Sequence, residues 1–544
     1  MTTTHAPERS RHALTGTWTL TRLALRRDRI RLPLWIAGLT LFTLSSVSSF
    51  EQTYPTAADR DTVARLAELP AMIGMVGRNY QPADYHFGIM IGHQMTVMTA
   101  LIFGLMSILQ LVRHTRAEEE AGRAELVRSN VVGRHATLTA ALIIVTGTSL
   151  IAGLLTAAGL AATGLEGITP VGSLLYGLSI AAAGIVFAGI TAITVQITEF
   201  GRGATGLALA TLGIAYVLRA FGDIGDNNSS WLSPLYWGQA SRPYATDQRW
   251  WPLLLALGIA AALIAIGYRL STQRDVGAGL RAARRGAATA SPLLGTPLGL
   301  ANRLHRASLI GWTIGMLLFG ASYGMLIDGI EDMIEQIAAL GDIIAQIPGS
   351  TLVDSYVAML ITFLSIVISA QAVLAVNRMH SEEAAGRAEP ILATGVSRQH
   401  WMTSHLTIAL GSSAILAIIT AIGMGGSGAL VTGDIGFLTK VLGAALAHIP
   451  AIWVAVGVAA ALYGLAPRLL ALGWIVPVYG IIVVYLGGIL GFPEWTHRYS
   501  PFGYIPDLPA ADLEWTPLIA LTAIALSLAA AGIAGFRRRD LESK

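Results

Sequence analysis

Cysteine is absent from all 544 residues, so no disulfide framework, thiolate metal site or cysteine nucleophile exists in this chain. Charge is scarce as well. Only 13% of residues are Asp, Glu, Lys or Arg, about half of what a soluble surface carries, against 53% hydrophobic residues and 59 glycines. Length alone would suggest three or four soluble domains, but a mean hydropathy of +0.60 excludes them and turns the apolar excess toward lipid. Lysine is nearly missing: Lys440 and Lys544 stand beside 34 arginines, a bias that with the Ala and Gly load suggests a GC-rich bacterial genome.

What the chain does have is a series of apolar windows, each near the roughly 20 residues that a membrane helix needs. Twelve appear, at 32–50, 87–112, 136–163, 172–197, 204–221, 251–268, 308–327, 355–376, 401–424, 438–463, 469–490 and 515–536. The 31 polar and basic residues before the first window end in no cleavage pattern, so this leader is expected to stay on the protein. With the N-terminus inside, 28 of the 36 basic residues fall on the cytoplasmic side. The other eight are Arg60, Arg65, Arg78, Arg219, Arg242, Arg249, Lys440 and Arg498. The positive-inside rule supports that orientation. The expectation is an all-α protein of twelve transmembrane helices in a bacterial plasma membrane, both termini cytoplasmic.

The loops after the second and eighth windows repeat each other. Glu118-Glu119-Glu120-Ala121-Gly122-Arg123-Ala124-Glu125 aligns with Glu382-Glu383-Ala384-Ala385-Gly386-Arg387-Ala388-Glu389, seven of eight positions matching at an offset of 264. Arg134 then meets Arg398, Ser233-Pro234 meets Ser500-Pro501, and Arg274-Asp275 meets Arg539-Asp540, at offsets of 264, 267 and 265. Arg29 and Trp35 meet Arg306 and Trp312 at 277, so the first external loop is the longer one. This predicts two tandem six-helix units of the same orientation, residues 1–270 and 296–544, joined by an Arg-, Ala- and Gly-rich cytoplasmic linker at 271–295. Each unit opens on a basic amphipathic stretch: Trp18, Arg22, Leu25, Arg26 and Arg29 in the first, and Leu300, Arg303, Leu304 and Arg306 in the second, there preceded by the helix start Thr296-Pro297.

The repeated acidic loop carries the most specific signal. On a continuous helix, Glu119 and Arg123, and Glu383 and Arg387, form i,i+4 pairs with the acid on the N-terminal side, worth a few tenths of a kcal/mol. Gly122 and Gly386 each oppose the helix by about 1 kcal/mol relative to Ala, which points to another backbone or surface approaching closely there. A solvated loop that merely tethers two spans is the plainer alternative.

The E-x-x-x-G-R-x-E loop, the basic amphipathic stretch before the first span and the Ser-Pro-x-x-aromatic turn before the sixth resemble the permease of a type-2 ATP-binding-cassette exporter. The chain is most similar to the fused two-unit actinobacterial form described as tetronasin-resistance or multidrug efflux permeases. The resemblance implies that each loop is a coupling helix fitting a groove on an ATPase. It places Glu118, Glu119, Gly122, Arg123 and Glu125, and Glu382, Glu383, Gly386, Arg387 and Glu389, at that contact. Pro390 follows the motif only in the second copy, where the first has Leu126. Two loops imply two ATPase subunits, a homodimer, carrying ATP and Mg. This chain cannot supply them, since neither lysine is preceded by the glycine of a P-loop. The remaining partners are the bilayer and a hydrophobic small molecule, with no nucleic acid.

Twelve spans in two halves also suit an ion-gradient-driven secondary transporter, but such coupling needs an ionisable group inside the membrane. Here the acids Glu199 and Asp354 lie at span ends. His93, His405 and His448 are embedded, and such histidines serve most often as interhelical hydrogen-bond partners; His93, beside Gln94, Met95 and Met98, is the candidate for the path. Metal spacing is absent around all three, and a membrane enzyme finds no paired embedded carboxylates or activated nucleophile. By resemblance the path runs where the two halves meet. It is assigned to Ser45, Ser49, Phe50, His93, Met98 and Tyr216 from one half, and to Phe319, Tyr323, Met359, Phe363, Trp474 and Tyr479 from the other. Residues 56–77 and 328–347 show helical amphipathic spacing suited to external caps, and the two Ser-Pro turns resemble short re-entrant helices at an external gate.

Overall fold

The computed structural model describes residues 13–68, 70–123, 125, 129, 131–275, 277–281, 288–327, 350–486 and 494–541. Among these there is no strand, and twelve helical segments are long and apolar enough to cross a membrane. The chain divides into two units, residues 1–286 and 287–544. The predicted amphipathic segment at 328–347 lies outside the described residues.

In the first unit, α1 (Thr17–Arg27) precedes the span α2 (Arg31–Thr53). The short helices α3 (Ala57–Leu66) and α4 (Pro70–Val76) follow. The predicted single helix over 56–77 is thus two, and Pro70, which has no N–H to donate, opens the second. Span α5 (Phe87–His114) then leads into the short α6 (Arg116–Glu120). Spans α7 (Ala136–Ala161), α8 (Pro170–Ile197) and α9 (Gly201–Ile224) come next, then the short α10 (Pro234–Ala240) and the span α11 (Trp251–Ser271).

The second unit holds spans α12 (Pro297–Gly324), α13 (Leu352–Ala384), α15 (Arg398–Thr432), α16 (Gly436–Leu465) and α18 (Trp515–Arg538), with the short α14 (Ala388–Leu392) after α13. Its fifth span is irregular: a 3-10 segment Pro467–Trp474, then α17 (Ile475–Gly480), then a π-helical turn Ile481–Leu486. Pro477 removes a backbone donor in that stretch, where the first unit's α9 runs as one helix.

Side-chain caps set several starts. Thr169 accepts from Gly172 N with Pro170 at the first helical position, Thr296 from Gly299 N with Pro297, and Ser397 from His400 N. Ser233 and Ser500 cap the short segments that begin at Pro234 and Pro501, each accepting from the second N–H along.

The units differ at their entrances. α1 ends at Asp28 and α2 begins afresh, whereas α12 carries its amphipathic part and its span as one 28-residue helix. At the offset of 277, Asp28 corresponds to His305. Asp28, at the turn between the two helices, is buried and reaches Arg113 at 3.0 Å and His114 at 2.9 Å. His305 instead lies 3.3 Å from His405 within the helix path.

In each unit the second span is far more buried than the first and the fifth. The second span is 72% buried in both units, while the first and fifth are 22% and 28% buried in the first unit and 17% and 28% in the second.

Candidate coupling site

At the foot of α5 the helix breaks at Thr115, runs one more turn to Glu120 and stops. The stop is built by Gly122, whose φ of +71° is left-handed, with its N–H donated to the Glu119 carbonyl at 3.0 Å. The second unit repeats it: Gly386 has φ +70°, donates to the Glu383 carbonyl at 2.8 Å, and Arg387 N reaches the Glu382 carbonyl at 2.9 Å. These two bonds are the pair of a Schellman cap. A Cβ at Gly122 or Gly386 would meet nothing within 4 Å among the described residues of this chain. Within the chain, it is the left-handed torsion that calls for glycine at both positions.

The torsion also redirects the carboxylates. Because the helix ends before Arg123, the expected Glu119–Arg123 pair is replaced by Glu118–Arg123, at 2.8 Å and 2.9 Å. Glu382–Arg387 replaces Glu383–Arg387 in the same way, at 2.7 Å and 3.2 Å. Hydrogen bonds to Glu118 hold the Arg123 guanidinium above its usual pKa. Glu118 also takes two bonds from Arg27 of α1, at 2.9 Å and 3.0 Å, which ties the amphipathic helix to this turn.

Glu119 and Glu383 face inward instead. Arg274, just past α11, grips Glu119 with both terminal nitrogens at 2.9 Å and 2.8 Å, and Arg539, past α18, grips Glu383 at 2.7 Å and 2.6 Å. Buried Arg116 adds a 2.6 Å bond to Glu119. The ends of α8 and α16 complete the arrangement: Gln196 accepts from Arg274 Nε at 2.6 Å, and Tyr463 donates to Glu383 at 2.7 Å. Arg134 and Arg398, at the starts of α7 and α15, then bind carbonyls of the same last-span segments, Arg134 at Ser271 and Thr272 and Arg398 at Arg539. Each unit thus has a clasp that joins the ends of four spans, and its carboxylates are occupied within the chain. Residues 121–123 and 385–387 remain exposed at the tip, as do Glu125 and Glu389.

The sequence singled out Arg274, Arg539, Arg134 and Arg398 as matching positions but not as partners of the glutamates. Opposite charges repeating at nearly equal offsets were the available signal. Gln196 and Tyr463 gave none, because their types differ.

The path candidates separate. His93 is fully buried; Tyr85 hydroxyl donates to its Nδ1 at 2.9 Å and its Nε2 donates to the Gly77 carbonyl at 2.8 Å, which accounts for both ring nitrogens. It locks the segment before α5 to that helix. His405 meets His305, and His448 meets Thr362 at 3.0 Å, so both serve as contacts between helices. Phe319, Tyr323 and Phe363 do come together, with ring centroids 5.0 Å and 6.5 Å apart along the chain of contacts, and Met359 lies one turn from Phe363. Ser45, Ser49 and Met98 are exposed on the first unit, and Phe50 is half-buried against Tyr54. Tyr216 and Tyr479 are half-buried and donate to the Met75 and Thr496 carbonyls, while Trp474 is half-buried against the core.

Twelve helices long and apolar enough to cross a membrane define a multi-pass membrane protein of the permease kind. The chain matches the family described as multidrug efflux system permease Rv1217c, C-terminal domain, over residues 19–270 and 294–537. It is 41% identical over 540 residues to the multidrug efflux system permease protein Rv1217c of Mycobacterium tuberculosis (strain ATCC 25618 / H37Rv), covering 98% of this chain and 97% of that one. The chain belongs to this permease family.

Proposed function

We propose that the chain is the membrane permease of an exporter that moves hydrophobic or amphipathic drugs out of the cell, powered by two separate ATP-binding-cassette subunits. The supporting observation is the pair of clasped turns. In each unit an exposed tip, residues 121–123 or 385–387, sits on a clasp that joins its base to the ends of three other spans. Force applied at such a tip passes into the span ends instead of being absorbed by a loose loop. ATP and Mg would be bound by the partner subunits, since this chain offers no P-loop lysine. Alternating access then follows from the different affinities of the ATPases for the two states of the permease. The charge asymmetry supports an orientation with both termini and both tips in the cytoplasm.

Glu118, Gly122, Arg123 and Glu125, with Glu382, Gly386, Arg387 and Glu389, belong to the proposed contact; Glu119 and Glu383 support it from beneath. Ala121 and Ala385 are the exposed, matching positions to test. The double variant Ala121→Trp, Ala385→Trp should lose the copurifying ATPase while keeping the wild-type melting temperature and elution volume. Full ATPase association in that variant would move the docking site elsewhere. Single variants report whether the two contacts are equivalent.

A further inference from the structure

A groove of about 410 Å³ lies between α1, the start of α2 and the middle of α7. Its walls are apolar, among them Leu25, Leu32, Ile36, Ile143 and Ile151. The two threonines in it, Thr21 and Thr148, donate their hydroxyls to the Thr17 and Ile144 carbonyls of their own helices, so apart from Trp18 and Arg29 the lining is apolar. The volume lies in the range of small-ligand sites. Arg29 is part of the lining, and Arg22, Arg26 and Arg31, within seven residues of it in the chain, are exposed. None of these four has an acidic partner among the described residues.

We infer that this groove seats one acyl chain of an anionic glycerophospholipid whose phosphate is held by Arg29 and its neighbouring arginines. Unpaired arginines beside a dry apolar slot are complementary to an anionic headgroup with a hydrocarbon tail. An exported compound would not require the four free positive charges. The break at Asp28 makes the slot possible, and the continuous helix α12 has no such break. The consequence reaches the coupling turn: α1 carries Arg27 and Asp28, which hold Glu118, Arg113 and His114. A lipid that steadies α1 therefore steadies the turn.

Gly147 supplies the control, because a side chain there would enter the groove while its Cβ meets nothing within 4 Å. The experiment is native mass spectrometry of the delipidated full chain titrated with phosphatidylglycerol or phosphatidylcholine. Wild type should take up one phosphatidylglycerol in preference to phosphatidylcholine. Arg29→Ala, at an exposed position, should weaken that preference by about fivefold, the share expected of one arginine near an anionic lipid. Gly147→Phe should remove the bound lipid whatever its headgroup, with elution volume and circular dichroism unchanged. Equal uptake of the two lipids by wild type, or unchanged lipid content in Gly147→Phe, overturns the proposal. So does a dimer of the chain that disappears with Gly147→Phe, since a second copy would then be the occupant.

Discussion

Gly122 and Gly386 show how one torsion decides what a motif is for. Their left-handed φ costs any L side chain about 1–2 kcal/mol, so Gly122→Ala and Gly386→Ala should each lower stability by about 1 kcal/mol in denaturant titrations of the purified chain. Gly395→Ala, at a position with open space and no positive φ, should not. The repeated glycines are visible in the sequence, but helix propensity alone reads them as a packing requirement, since the turn that needs them is not a pattern of residue types. His93 is a second case. Its partners Tyr85 and Gly77 lie 8 and 16 residues back, across a loop with no periodicity to reveal them. His93→Leu leaves that carbonyl unpaired and should cost about 1–3 kcal/mol, measured as a fall in thermal stability. If His93 were a proton relay, His93→Gln would shift the pH profile of transport; a ring whose two nitrogens are both held by Tyr85 and Gly77 predicts an unchanged profile.

At the scale of elements, the clasp gives Glu119 and Glu383 a structural task. Removing one member of a buried ion pair costs about 3–5 kcal/mol, so Glu119→Gln and Glu383→Gln should each destabilise the chain by about 3 kcal/mol. Exposed Glu125→Gln should fall within about 0.5 kcal/mol of wild type. A double-mutant cycle of Glu119→Gln with Arg274→Ala should show coupling of at least about 1 kcal/mol in the same melts; additive effects would mean the pair is not energetically real. Charge reversal of Glu119 and Glu383 would confuse loss of fold with loss of docking, which is why the alanine tips make the better docking test. Local helix arithmetic chose the wrong partner for each glutamate because it assumed that the helix ran through Gly122. The true partners are 155 and 156 residues away, a distance that only the matching offsets hinted at.

For the molecule as a whole, the spans were legible because a bilayer forces long apolar runs and charged ends, and the predicted windows fall on the twelve observed helices to within a few residues at most ends. Less legible were the features where equivalent segments take different shapes: the break between α1 and α2 against unbroken α12, and the irregular fifth span of the second unit. Single substitutions such as Asp28 for His305, or a proline at 477, sit at those differences without altering hydropathy. The central claim is that transport through this chain is driven by ATP hydrolysed on separate subunits, and uptake of a fluorescent hydrophobic drug into inside-out vesicles tests it most directly. Vesicles holding the permease with its copurified ATPase should take up drug only with ATP and Mg, proton and sodium gradients collapsed, and should stop when Ala121→Trp and Ala385→Trp are introduced. Uptake by the permease alone, driven by an imposed ion gradient without ATP, would contradict the account.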